Sequence, residues 1–528
     1  MVFAKALEDI GKYLEECTGK ASVHGVQFIG DRKRSVLERV IWLGIWITSV
    51  VMCSKYVMQT YEKWESSPVF VTIGTGQMPI HDISFPAVTI CPEAKTDIEL
   101  FSYPAMMDLA LSEEENLTET QKTQFEYMTM ICNRTSKPIS MESDYFDIDV
   151  LHFLSNVTPS FNETFISCKF SGEIKDCREI FTPVFTVDGV CYSFNILDHK
   201  EMFRETVQQF EDFMQAPKSV CFNQPYTNSC KNVYPQRAST SGSEAGLEVE
   251  LGVLSENLDF KCASAMQGYK VILHDPSELP YQSHNHFRLP LDEAVFVSVI
   301  PEVLVTKPEL KSYAAGQRKC FFEDEKVLER FRLYSQDNCE IECLVYLLNA
   351  GLDCIDFYLP HTNATKNVCG PGVLHFIRIL EKLLFGFTSN TLDLNFTPEM
   401  NHIKGIIEKF GFLEDVLEHC ECLPSCSSVK YSFETSQTDY FWRSFVDSGN
   451  FGSYRSLLNI HFKHAQYIPL ERKEMFGAMD FIAYCGGLLG LFIGFSFISL
   501  IEVFYFLTLR IGCNVRMYGR KLWYGIED

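Results

Sequence analysis

The chain has 528 residues, 20 cysteines and a formal net charge of −23. The length allows more than one core-forming unit, and the 46% hydrophobic and 22% charged fractions exclude a disordered polymer. A pI near 5.0 excludes a nucleic-acid binder, because phosphate contacts need a basic surface.

Residues 1–39 carry charges throughout and lack the apolar centre and cleavage site of a signal peptide. Residues 40–60 (VIWLGIWITSVVMCSKYVMQT) then supply the roughly 20 apolar positions that a membrane helix needs. Lys55 lies near the far end, where its head can snorkel. The first span therefore reads as an uncleaved anchor. A second apolar stretch covers 481–509, with Glu502 as its single charge. Asp31-Arg32-Lys33-Arg34 and Arg39 precede the first span, and Arg510, Arg516, Arg520 and Lys521 lie in the tail 510–528. The positive-inside rule puts both termini in the cytosol and residues 61–480 outside the cell, at the plasma membrane.

The segment between the spans supports that topology. Sixteen of the 20 cysteines, Cys91 through Cys426, fall there, an even number suited to disulfides in an oxidising compartment. All six Asn-x-Ser/Thr sites fall there too: Asn116, Asn133, Asn156, Asn162, Asn363 and Asn395. By residue count the segment 61–479 carries about −25, which serves either simple solubility or concentration of cations. Residues 68–91 read as strands broken by Gly and Pro, 97–135 as helical, 181–195 and 246–274 as strands, 323–350 as helical and 427–468 as strands again. This predicts a central sheet carrying peripheral helices. Cys339 and Cys343 share one face of a helix, and Cys420 and Cys422 one face of a strand. The two sets are placed to form a ladder, with Cys320 and Cys426 as an outer rung. Zinc is the rival for such a cluster, but paired Cys-x-x-Cys knuckles are absent, so no metal and no cofactor are expected.

In the second span Ala483, Gly487, Gly490 and Gly494 recur at intervals of 4, 3 and 4, a small-residue stripe on one helix face. Such a stripe is either a packing seam or the wall of a pore. Three features favour the pore. The stretch is about 43 Å long as a helix, so it can break and still cross. Gly494-Phe495-Ser496 would offer backbone carbonyls at a break, which suits a cation-coordinating ring. An intramembrane carboxylate, Glu502, follows. No nucleophile, metal or phosphate-loop spacing points to an enzyme.

These segments carry a resemblance. Ser22-Val23-His24-Gly25 is similar to a cytosolic His-Gly gating motif, Phe85-Pro86-Ala87-Val88-Thr89-Ile90-Cys91 to a signature after the first span, and Gly189-Val190-Cys191-Tyr192-Ser193-Phe194-Asn195 to a second one. Gly268-Tyr269-Lys270-Val271 through His274-Asp275-Pro276, Cys420-Glu421-Cys422-Leu423-Pro424-Ser425-Cys426, and Gly486 through Ser496 complete the series in order. Together they resemble the degenerin/epithelial sodium channel/acid-sensing channel superfamily, and within it the insect pickpocket branch. The resemblance covers nearly the whole chain.

It implies an α+β membrane protein: two transmembrane helices flanking a large disulfide-rich ectodomain with a β-sheet palm and peripheral helices. It implies a trimer, homomeric or formed with related subunits, that conducts sodium ions through the lipid bilayer and is blocked by amiloride. Gly494, Phe495 and Ser496 would be the selectivity filter, and Ala483, Gly487, Gly490 and Glu502 would line the pore and gate. His24 and Gly25 would act from the cytosol. The implied disulfides are Cys91–Cys191, Cys168–Cys177, Cys320–Cys426, Cys339–Cys422, Cys343–Cys420 and Cys354–Cys369. Cys132, Cys221, Cys230 and Cys262 remain and are expected to pair as Cys221–Cys230 and Cys132–Cys262.

A cysteine expected two residues before Cys354 is Leu352, with its partner also absent, and two further positions depart from the pattern. Phe495 stands where the best-known members carry a small residue, and Tyr484 replaces an acidic residue of the acid-sensing members. These leave open a non-conducting accessory or receptor subunit as the alternative to a pore-forming one.

Overall fold

In the computed structural model, the described residues are 2–31, 33–66, 69–111, 117–132, 143, 145–220, 233–262, 266–281, 285–362, 367–374, 377, 420–444, 452–475, 477–519 and 523–524. They divide into two compact units. One comprises Met1–Val71, Lys307–Arg318 and Arg472–Asp528; the other comprises Thr72–Thr306 and Lys319–Glu471.

The helices that bear on function are, in chain order, α1 (Val2–Lys20), α2 (Val26–Gly30), α3 (Val36–Ser66), α4 (Gln336–Leu352), α5 (Ala478–Ile493), α6 (Phe497–Phe504) and α7 (Ile511–Tyr518). The main strands are β1 (Ala87–Pro92), β2 (Phe165–Phe170), β3 (Phe181–Thr186), β4 (Gly189–Phe194), β5 (Leu247–Leu254), β6 (Tyr269–His274), β7 (His286–Leu289), β8 (Glu293–Thr306), β9 (Ser428–Asp439) and β10 (Ser453–Phe462).

The larger unit, which contains α4 and all ten strands, is built on two sheets. In one, β7-β6-β1-β4-β3 run antiparallel. In the other, β8 pairs with β9 antiparallel and with β10 in parallel, and β10, β5 and β2 follow antiparallel. Val88, Ile90, Val249, Leu251, Val297, Val299, Leu458 and Ile460 bury their side chains in a common core. Phe85 ties the sheets together. It is fully buried, and its ring meets Phe194 of the first sheet and Phe170 and Phe462 of the second at 5.3–6.0 Å, edge to face. Edge-to-face geometry adds to the area that such rings bury.

A second core surrounds α4. Its Ile341, Leu344, Val345 and Leu348 pack with Met128, Leu151, Phe203, Phe331 and Phe357. The helix begins at Gln336 rather than in the region of residue 323. The Ser335 hydroxyl accepts from the Asn338 N–H and caps it. Upstream, the backbone bonds elsewhere instead of coiling: the Arg332 N–H donates to the Met202 carbonyl, and the Arg204 N–H to that of Arg330. The helical stretch expected at 97–135 is two helices, Tyr103–Leu111 and Glu119–Cys132.

Seven disulfides lie in this unit among the described residues: Cys91–Cys191, Cys132–Cys262, Cys168–Cys177, Cys320–Cys426, Cys339–Cys422, Cys343–Cys420 and Cys354–Cys369. Cys339 and Cys343 leave α4 one turn apart, so two rungs staple the helix to the segment 420–426, and Cys320–Cys426 ties the chain before the helix to the same segment. Cys420 and Cys422, expected on a strand, lie ahead of β9 in no strand. Cys221 and Cys230 lie outside the described residues.

In the smaller unit α3 is about 46 Å long. Val36, Leu37, Val40, Ile41 and Val51 project from it, exposed. An apolar helix with an exposed surface of this kind fits lipid and not water. Its contacts with α5 include aromatic pairs. Tyr56 stacks on Phe492 at 5.8 Å and Trp64 on Phe481 at 5.2 Å.

Candidate functional site

The second apolar stretch is interrupted. α5 stops at Ile493, Gly494 takes the left-handed conformation (φ 66°), and Ser496 begins α6. Glycine enters that region without the Cβ penalty of other residues. The Gly494 N–H still donates to the Gly490 carbonyl (3.0 Å) and the Phe495 N–H to that of Leu489 (3.2 Å). The new helix is capped reciprocally: the Ser499 N–H donates to the Ser496 hydroxyl (3.2 Å) and the Ser496 N–H to the Ser499 hydroxyl (3.1 Å). Beyond α6 the chain makes a π-helical stretch, Tyr505–Arg510, and then α7.

A helix end leaves its last four carbonyls without partners in the helix. One of them, at Ile493, accepts from the His24 N–H at 3.0 Å. His24 belongs to the strap 21–25 between α1 and α2. The strap follows the break: a Cβ on Gly494 would collide with the His24 imidazole. The Ser22 hydroxyl lies 2.6 Å from that of Ser499, and the Ser22 N–H donates to Glu502 Oε2 at 3.1 Å. One oxygen of Glu502 is thus committed to the strap. Gly25 turns the chain into α2 with φ 83°. Phe28 of α2 stacks on Trp42 of α3 at 4.6 Å, and the Arg34 guanidinium lies over the Phe28 ring at 4.6 Å. The strap is therefore fixed to both apolar helices.

The stripe residues take another environment. Ala483, Gly487 and Gly490 are exposed on α5, and a Cβ at Gly487 or Gly490 would meet nothing within 4 Å. Phe495 is half-buried and Ser496 exposed. Gly494, Phe495, Ser496, Glu502, His24 and Gly25 thus come together at the break, while Ala483, Gly487 and Gly490 present an open face. Asn156 and Asn162 are exposed on the other unit, the latter accepting from Arg178 Nε at 3.0 Å. Asn116, Asn133, Asn363 and Asn395 lie outside the described residues.

Sequence reasoning missed Ser499 and the partners of Ser22. The Ser-x-x-Ser spacing from 496 to 499 carried a capping signal; Ser22 stood in the His-Gly motif, but nothing local tied it to Ser499 or Glu502. Among the described residues no group of His, Cys, Asp or Glu is arranged to hold a metal ion. Chemically, the site offers peptide carbonyls and hydroxyls at a broken, lipid-suited helix, the kind of donor set that can replace the hydration shell of a small cation.

Comparison with known proteins agrees. The family model described as "Amiloride-sensitive sodium channel" matches residues 18–506. Pickpocket protein 28 of Drosophila melanogaster is 25% identical over 525 residues, covering 95% of this chain and 79% of the relative. Sodium channel protein Nach of the same organism is 22% identical, covering 94% and 87%. Acid-sensing ion channel 1C of Danio rerio is 21% identical, covering 94% and 83%. The protein is an ion-channel subunit and not an enzyme, with two membrane-spanning segments and a disulfide-rich, β-rich ectodomain. A trimer is the assembly consistent with such a family. The chain belongs to the amiloride-sensitive sodium channel family.

Proposed function

We propose that the chain is a pore-forming subunit of a sodium-selective, amiloride-sensitive channel of the plasma membrane, with three chains around one pore and both termini in the cytosol. An extracellular stimulus acting on the ectodomain opens it. The observation that carries this reading is the break at Gly494–Ser496 inside an apolar span, where the ladder of α5 ends and that of α6 starts anew. Three such breaks around an axis would form a ring of oxygens that replaces the water of a sodium ion. The open face of Ala483, Gly487 and Gly490 lets three α5 helices approach closely. Residues 40–60 and 481–509 serve as the two spans, and the acidic segment between them raises the local cation concentration.

Gating is a population shift, so the stimulus must bind one state more tightly than the other. His24 belongs to the moving parts, since it touches the break directly, and Gly25 beside it turns the chain into α2. The half-burial of Phe495 supports a ring lodged against protein while the backbone faces the ion.

Voltage clamp of Ala483→Phe tests the reading. A bulky side chain on the close-approach face holds the helices apart and gives a standing inward current that amiloride blocks. Normal closure at normal surface expression refutes the gate. Persistence of the current when a large organic cation replaces sodium refutes the filter. Silence alone, with altered currents when a related subunit is co-expressed, identifies an accessory subunit instead.

A further inference from the structure

The end of the second span is held by contacts that the ion pathway does not use. Tyr13 of α1 is only 7% exposed, and its hydroxyl donates to the Phe506 carbonyl at 2.5 Å. Phe506 lies inside the π-helical stretch Tyr505–Arg510. One turn along α1, Glu16 Oε1 accepts from Arg510 Nη2 at 2.8 Å, and Lys20 donates to the same oxygen. Tyr13 and Glu16 therefore grip the π stretch at its second and its last residue. The chain beyond α7 closes the other side. The ring of Trp523 meets that of Tyr13 at 5.5 Å, and its carbonyl accepts from the buried Asn514 side chain of α7 at 3.1 Å.

A π-turn holds one residue more than the α-turn it interrupts and persists where something outside the helix favours it. Here a hydroxyl on a backbone carbonyl and an ion pair on the last side chain both come from α1. They are specific to this register: removing the extra residue would turn everything after it by about 100°, carrying Arg510 away from Glu16.

We propose that α1 is a latch, in which Tyr13 and Glu16 hold the 505–510 stretch in its π conformation and release of α1 lets the stretch revert to α-helix and rotate α7. The consequence for current rests on the channel reading above. Without a stimulus the chain populates the state that its own contacts favour, so the latched form is the resting one and release raises the unstimulated current.

Hydrogen exchange on the full-length chain in detergent, read on peptides spanning 10–20 and 505–512, tests the latch without any current. Tyr13→Phe keeps the ring and removes one hydrogen bond, and exchange in both peptides rises about threefold to tenfold. Glu16→Arg gives a similar rise, and Glu16→Arg with Arg510→Glu restores protection, which distinguishes a specific pair from simple misfolding. Unchanged exchange in both single variants overturns the latch, as does failure of the charge swap to rescue. Voltage clamp of the same variants beside Ala483→Phe separates the two readings. If Ala483→Phe conducts and the latch variants show no rise in unstimulated current, the gating role is overturned. If no variant conducts while exchange follows the pattern, the latch stands and the channel reading falls.

Discussion

Gly494→Ala probes the contact between break and strap. Two costs arise and they separate. An L-residue held in the left-handed region costs about 1–2 kcal/mol, whether or not the strap is present. The new methyl also occupies the place of the His24 ring, so the docked strap must shift and forfeit the bond from the His24 N–H to Ile493, worth about 0.5–1.5 kcal/mol. Together they weigh about 1.5–3.5 kcal/mol against the native arrangement, roughly a 10- to 400-fold shift. Only the second part acts on docking, so exchange of the residue-24 amide rises about twofold to twelvefold. Hydrogen exchange on peptides covering 21–26 measures it. His24→Ala in the Gly494→Ala background removes the collision but keeps a backbone N–H at position 24, and protection returns. Unchanged protection in Gly494→Ala, or equal loss in the double variant, refutes the argument that the ring and Gly494 compete for one space.

Other expectations concern the ectodomain. Phe85→Ala removes a ring shared by both sheets and destabilises by about 3–5 kcal/mol, seen as lost surface expression and a lower thermal midpoint of the solubilised protein. Cys343→Ser with Cys420→Ser opens the innermost rung of the ladder. The neighbouring Cys339–Cys422 bond already closes most of that loop, so the loss is about 2 kcal/mol rather than the ~4.5 kcal/mol of an isolated 77-residue closure. Burial pulls the pKa of His274 down to about 4, so the folded chain keeps it neutral where the unfolded chain takes up a proton. Its contribution is therefore intact above pH 6.5 and is lost as the pH falls from 6.5 toward 4, at up to about 1.4 kcal/mol per pH unit. Thermal midpoints against pH check this: His274→Gln flattens the slope in that window, and an unchanged slope counts against a neutral buried imidazole.

What was legible in the sequence followed from local chemistry. The two spans are runs of apolar side chains, and the break within the second announces itself through the length of the stretch and Gly494. The spacing of Cys339 and Cys343 places both on one face of a helix, and they bond to Cys422 and Cys420 as the ladder required, although the partner segment is not a strand. The start of α4 was misread because residues 323–335 have helical composition, yet their backbone groups bond to the chain near residue 203, and periodicity does not encode partners that distant. The same limit hid the partners of the strap. Ser22 and Glu502 are 480 residues apart, and neither carries a mark of the other. Glu502 read as a pore carboxylate because a charge in an apolar span needs a reason. The hydrogen bond from the Ser22 N–H supplies one that needs no ion.

That bond changes how the charge at position 502 bears on conduction. A carboxylate that only lined a water-filled passage would attract cations, and neutralising it would lower conductance while leaving closure intact. A carboxylate that also accepts from the strap holds the Ser22 backbone beside Ser499, and through it the His24 contact with Ile493, 9 residues before Glu502 in the chain. Glu502→Gln keeps an acceptor oxygen for the Ser22 N–H and removes the charge; Glu502→Leu removes both. A passage role predicts equal effects of the two on conductance. A strap role predicts that only Glu502→Leu exposes the residue-24 amide to exchange, by about threefold to tenfold for the lost charge-assisted bond at a partly exposed site. If Gln and Leu expose it equally, the charge itself holds the strap; if neither does, the bond from Ser22 has no part in docking.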